Sequence, residues 1–368
     1  MYKLKDFAQD ISVAIKDAQS SPFDRFVGLE HYDSGEPVIT RYTDKSLLSS
    51  SVKEFRKNDI LIARRNVYLK RAGIAFFDGL TSGDSIVLRI YDDCESRTGI
   101  SKQDAIRIIP FILNSNVFWA YANKHADGMN SKRISKEMLY DYEFDLPPLA
   151  EQKVLAEKLW AAYRLKESYK KLLAATEEMV KSQFIEMTGD PRTNPKGWPV
   201  KTLPELATYS IGLTYKPENI SEDGTIVLRS GNIQNSKIDL GDIVRVNCPI
   251  KESIYVQKND ILMCSRNGSA ALVGKVAMIK DIPEPMTYGA FMTVIRSEYS
   301  DYLYLYFQSN DFREQVSTGK SSTMNQITQN MLDKISLPLP DDETRKKLSI
   351  ILHQADKSGF VIRYRIAC

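Results

Sequence analysis

Apolar side chains recur along this chain in two different rhythms. Through most of its length, short runs rich in β-branched and aromatic residues, such as Asp59 to Ala63, Ser85 to Ile90, Ile226 to Arg229 and Phe291 to Ile295, are punctuated by Gly, Asn and Asp. That pattern predicts short strands of small twisted sheets. Pro110 to Lys124 and Asp301 to Val316 carry helical spacing instead. From Ala150 to about Thr188, Leu155, Leu159, Ala162, Tyr169, Leu172, Met179 and Phe184 recur at helical steps with Glu and Lys between them. This predicts a single long amphipathic helix of coiled-coil type, roughly 57 Å in length. Pro147 and Pro148 mark its entry, and Gly189, Pro191, Pro195 and Gly197 its exit.

The strand-rich segment is present twice, once on each side of that helix. Lys57-Asn58-Asp59-Ile60-Leu61 recurs as Lys258-Asn259-Asp260-Ile261-Leu262, and at the same offset Arg65-Asn66 falls on Arg266-Asn267 and Gly73 on Gly274. Further on, Thr81-x-Gly83 answers Thr287-x-Gly289, and Ser115-Asn116-x-Phe118 answers Ser309-Asn310-x-Phe312. Ile134-Ser135-x-x-Met138-Leu139 answers Ile327-Thr328-x-x-Met331-Leu332, and Leu146-Pro147 answers Leu339-Pro340. The order is colinear throughout, as in a duplication. The expected organisation is an α+β domain over 1–145, a spacer helix over 146–190, a second similar domain over 191–338 and a short helical region over 339–368. In that last region Thr344 to Gln354 begins a helix with Leu348, Ile351 and Leu352 on one face, and Gly359 is expected to end it early. It is the natural antiparallel coiled-coil partner of the spacer, and a shortened one would leave part of the interface to another chain.

Composition narrows the function without choosing it. With 368 residues, 43% hydrophobic, 26% charged and a net charge of +3, the chain reads as folded and soluble, neither demanding nor excluding nucleic acid. Cys94, Cys248, Cys264 and Cys368 form no CxxC pair and have no histidine cluster nearby, so reduced thiols in a cytoplasm are expected, with no metal site. No apolar run approaches the ~20 residues a membrane span needs.

Catalytic signatures are weak. His31, His125 and His353 stand far apart without a surrounding motif. Gly319-Lys320-Ser321 has the ending of a phosphate-binding loop, yet Glu314 occupies the position of its first glycine. Asn194-Pro195 is followed by Lys196, whereas adenine methyltransferases use Asn-Pro-Pro-aromatic to hold a flipped base. No catalytic residue is assigned.

The paired copies, the helix entry Leu146-Pro147-Pro148-Leu149-Ala150-Glu151-Gln152 and the exit Gly189-Asp190-Pro191-x-x-Asn194-Pro195-Lys196-Gly197-Trp198 together resemble the DNA-specificity subunits of type I restriction-modification systems. The resemblance covers essentially the whole chain. It implies two target-recognition domains, each reading one half of a split double-stranded DNA site, joined by helices that dock two modification subunits and, through them, restriction subunits. It also implies that no cofactor is bound by this chain, S-adenosylmethionine belonging to the modification subunit. Asp341-Asp342-Glu343 departs from the expected proline and glutamine entry to the second helix, which bears on assembly with two modification subunits and leaves room for self-association through the spacer. The competing classes are a methyltransferase or nuclease carrying its own recognition domains, and a coiled-coil scaffold that binds no DNA.

A reader of DNA must offer donors to base edges and cations to phosphates. In the first copy the loop after the Lys-Asn-Asp-Ile-Leu strand carries Arg64, Arg65, Asn66, Tyr68, Lys70 and Arg71; in the second it carries Arg266, Asn267 and Ser269. A second candidate element is the basic segment ahead of a helix in each copy, with Lys132 and Arg133 in Gly128 to Lys136, and Lys320 in Gly319 to Thr323. Backbone amides at such a helix start favour phosphate. Solvated turns and ordinary helix caps would use the same residue types.

Overall fold

The computed structural model describes residues 1–47, 51–129, 131–317 and 325–367, divided into two units, Met1–Glu167 and Ser168–Cys368. The division falls inside one continuous helix, Leu149–Thr188, so each unit owns part of it.

In the first unit the Lys-Asn-Asp-Ile-Leu segment leads into the strand Ile60–Ala63, buried at all four positions. This strand lies between Ser85–Ile90 and Ala72–Ala75, both antiparallel to it, in a five-stranded sheet. A second five-stranded sheet and a pairing of Tyr2–Lys3 with Glu143–Phe144 complete the strands. In the second unit Ile261–Cys264, again wholly buried, lies between Met292–Arg296 and Val276–Met278 in a six-stranded sheet. Val200–Thr202 pairs with Ser336–Pro338 as the counterpart of the first unit's terminal pairing.

The repeated motifs turn out to be folding devices. Asn58 and Asn259 both take left-handed backbone, at φ 73° and 68°, a conformation Asn tolerates better than most residues. Asp59 and Asp260, each 1% exposed, accept the backbone N–H of Arg56 and Gln257 at 2.7 Å. The Ser-Asn-x-Phe repeat is a helix cap: Ser115 Oγ accepts the amide of Phe118, and Ser309 Oγ that of Phe312. These caps revise the helical stretches read from spacing. Instead of Pro110 to Lys124 there are two helices, Lys102–Ile112 and Asn116–His125; instead of Asp301 to Val316, Ser300–Tyr306 and Asn310–Ser317. Apolar periodicity runs through the break because both helices of each pair bury a face in the same core.

At the long helix's entry the buried Gln152 turns its amide back to the Pro147 carbonyl at 2.8 Å. At its exit Gly189 is left-handed at φ 81°, Trp198 donates its indole N–H to the Thr188 carbonyl, and the Asn194 side chain bonds the main chain of Trp198 twice. Within the first unit the helix buries Ala156 and lays Trp160 against Phe76, Phe111 and Tyr163, with its indole N–H on the Arg107 carbonyl at 2.9 Å. Within the second unit it buries Val180 and Phe184. Leu155, Leu172 and Met179 of the apolar stripe read from sequence stay largely exposed.

The C-terminal helix runs over Asp342–Ala367, straight through Gly359, where the sequence suggested a stop. Buried Leu348, Leu352 and Ile362 hold it on both sides of that glycine, more than offsetting the ~1 kcal/mol a mid-helix glycine costs. Phe184 and Leu348 share the core of the second unit, while Leu172 and Ile362 line one groove between the two helices. Leaving the core, one helix is followed backwards along the chain and the other forwards, so they run antiparallel.

Candidate nucleic-acid interface

Each central strand ends in the candidate loop, and in both units the loop is fastened by the same main-chain bonds to a segment far along the chain. In the first unit Asn66 N–H donates to the Lys132 carbonyl at 2.7 Å, and Ile134 N–H to the Arg64 carbonyl at 3.0 Å. In the second, Asn267 N–H donates to the Asn325 carbonyl at 3.3 Å, and Ile327 N–H to the Ser265 carbonyl at 2.8 Å. Arg65 bridges to Arg133 as Arg266 bridges to Gln326. The two stretches proposed separately from sequence thus form one surface in the first unit. Lys320 lies outside the described residues.

Side chains on the two surfaces differ sharply. In the first unit Asp84 is shared by three arginines: Arg65 Nη1 at 3.2 Å, Arg64 Nε at 3.6 Å and Arg133 Nη2 at 4.0 Å. Each arginine side chain remains more than two-fifths exposed. Arg65 Nε also donates to Ser131 Oγ at 3.2 Å, so its guanidinium is held at two points. Tyr68 and Lys132 are exposed. Lys70 donates to Asn116 Oδ1 at 3.3 Å. Arg71 points inward, with Nη1 on the Leu29 carbonyl and Nη2 on the Arg65 carbonyl, and its burial lowers its pKa from the ordinary guanidinium value. It braces the loop from beneath. Asn66 is left-handed at φ 53° with its Oδ1 buried, so it shapes the turn.

In the second unit the Arg266 guanidinium lies over the ring of Phe291, 5.3 Å from its centroid, and that ring is 59% exposed. Asn267 Nδ2 donates to Ser230 Oγ at 3.0 Å, and its Oδ1 accepts the amide of Ser269 at 2.9 Å, so its carboxamide is engaged within the surface. Ser269 is exposed.

Asp84 and Phe291 were not singled out from sequence, yet they occupy one structural position. The Arg64 amide donates to the Asp84 carbonyl and the Ser265 amide to the Phe291 carbonyl, both at 3.0 Å. The following residues pair identically, Ser85 with Ala63 and Met292 with Cys264. One extra residue after Thr287-x-Gly289 hides the equivalence in a linear comparison. The helices after the basic segments, Lys136–Tyr140 and Gln329–Leu332, are about one turn long and already capped by Ser135 and Thr328. A dipole that short offers less to a phosphate than the sequence suggested.

Residues 195–362 match a family described as the type I restriction modification DNA specificity domain. The matched segment lies within the second unit. The chain is 30% identical over 177 residues to the EcoKI specificity subunit of Escherichia coli (strain K12), covering 45% of this chain and 38% of that protein. Identity and coverage are the same for the StySPI specificity subunit of Salmonella potsdam. The matched segment is therefore less than two-fifths of these relatives' length. The type I restriction-modification S subunit from M. genitalium superposes over 100% of this chain and 91% of its own, with 13% identity and a TM-score of 0.51, which shows a shared fold. In both units the shared part of the duplication is the fastening, and the part that differs is the face it presents.

The histidines lie elsewhere. His31 is buried with Nδ1 accepting the Gly28 amide, His125 Nδ1 is 2.9 Å from the Tyr121 carbonyl, and His353 Nε2 is 3.3 Å from Asp301. Cys94, Cys248 and Cys264 are free thiols. Among the described residues no group of three or more His, Cys, Asp or Glu is placed to hold a metal ion, and no helix is long and apolar enough to cross a membrane.

Proposed function

We propose that this chain is the non-catalytic DNA-reading subunit of a cytoplasmic type I restriction-modification complex, each unit reading one half of a split duplex site. The observation that carries the reading is the contrast within the duplication. Identical main-chain bonds hold two loops, yet one surface gathers Arg64, Arg65 and Arg133 around Asp84 and the other sets Arg266 against an exposed Phe291. Equal scaffolds with unequal faces suit a protein that reads two different sequences. The arginine-rich face can donate to guanine acceptors and to phosphates.

Chemistry on a base inside a duplex requires extruding it into a pocket. In this reading the pocket and S-adenosylmethionine belong to two modification subunits, which in turn bring the restriction subunits. The exposed Leu155, Leu172 and Met179 on the long helix are apolar surface available to such partners. Methylation-sensitive sequencing of a host genome with and without this chain tests the proposal. A bipartite adenine-methylated motif of constant gap, lost on deletion, is expected. Methyl transfer by the purified chain alone would favour an autonomous methyltransferase, and absence of salt-dependent DNA binding a scaffold.

A further inference from the structure

The strongest asymmetry between the two faces is the residue at the entry to the strand beside the loop, Asp84 in one unit and Phe291 in the other. Resting on the DNA-reading function, we propose that this position sets which base type each unit selects: guanine in the half-site read by the first unit, thymine in that read by the second.

In the first unit Asp84 draws three guanidinium groups to one point. Without a carboxylate among them, three like charges would repel and spread. Asp84 Oδ1 lies 3.6 Å from Nε of Arg64, which leaves the end-on pair of Nη1 and Nη2 as the donor fork for a base. That fork matches the paired O6 and N7 acceptors of guanine in the major groove. Arg65 is already held at Nε and Nη1 and is a weaker candidate for a full fork. Asp84 is therefore a positioning residue, acting on the base through Arg64.

The second unit replaces this geometry element by element. Ser265 stands for Arg64, Gln326 for Arg133 and Phe291 for Asp84, all placed by the matched main-chain bonds. What remains is an exposed phenyl ring with one guanidinium over it. An apolar ring in the groove has the thymine methyl group as its distinguishing partner, and the Asn267 carboxamide, held by Ser230 and Ser269, is not directed to adenine.

Selection from a randomised duplex library by the full chain, together with its modification subunits, followed by sequencing, tests this. The unaltered protein should select a bipartite site with guanine in one half and thymine in the other. Asp84→Asn should reduce the guanine preference about tenfold and leave the other half untouched; Arg64→Gln should do the same. Phe291→Ala should reduce the thymine preference severalfold without touching the first half. Asp84→Glu, which keeps the charge, should restore most of the guanine preference, an outcome general misfolding would not give. A selected bipartite site whose preferences survive both Asp84→Asn and Phe291→Ala, or change equally in both halves, would overturn the inference while leaving the DNA-reading function intact. Failure of the unaltered protein to select any sequence would sink that function, and this inference with it.

Discussion

Arg89 forks onto Asp59, its Nε and Nη2 each 2.7 Å from one of the two carboxylate oxygens. Arg296 does the same to Asp260, at 2.8 and 2.7 Å. Each aspartate is buried and also accepts a main-chain amide, whereas each arginine keeps more than a third of its side chain exposed. The fork ties the start of the central strand to its neighbour, and the candidate loop leaves the other end of that strand. Asp59→Ala or Asp260→Ala strips a buried acceptor from three N–H donors, and is expected to destabilise the protein by about 2–4 kcal/mol in chemical denaturation. Arg89→Met or Arg296→Met, which strands the carboxylate instead, should cost a comparable amount. A loss below about 0.5 kcal/mol for all four would show that the repeated motif is not the fastening described.

Glu205 closes a capping box in the second unit, accepting the amide and hydroxyl of Thr202 and pairing with Lys201. The Thr202 amide, then the Lys201 and Thr202 side chains, hold its pKa down to about 2. A depressed carboxylate pKa contributes stability that is present above the unfolded value of about 4.3 and is lost as pH falls through the folded value. Glu205→Gln should therefore flatten the stability profile between about pH 4.5 and 2 while changing little in its shape above pH 6. Identical acid profiles for the two proteins would remove Glu205 from the account.

One helix, Leu149–Thr188, leads from the first unit into the second. Inserting a heptad within it keeps its faces in register and adds about 10 Å of rise. The gap tolerated between half-sites should lengthen by about three base pairs, at ~3.4 Å per pair. Selection from libraries of variable gap measures this, and an unchanged preferred gap would deny the helix a role in spacing.

Several layers of this arrangement were legible in the residues alone. The duplication, the long helix and the position of the loops followed from Lys-Asn-Asp-Ile-Leu, the apolar periodicity and the prolines at the helix ends. Those signals are local, and each is set by backbone geometry. The roles of single loop side chains were not legible, because Arg64 and Arg71 are chemically alike in sequence and differ only in what surrounds them. Asn66 and Asn267 had the right chemistry for adenine, but the fold uses them to shape and tie the loops. Asp84 escaped notice because one extra residue before Phe291 breaks the alignment of the copies where their faces diverge most. Gly359 misled for a different reason: the weight of a helix-breaking residue depends on tertiary burial at Leu352 and Ile362, which spacing does not reveal.

Exchanging residues 197–336 for the equivalent segment of a type I specificity subunit tests the central claim most directly, with the methylated or selected motif as the readout. The account predicts a new sequence in one half-site, with the other half unchanged. Alteration of both halves, or of neither, would contradict the assignment of one reader to each unit.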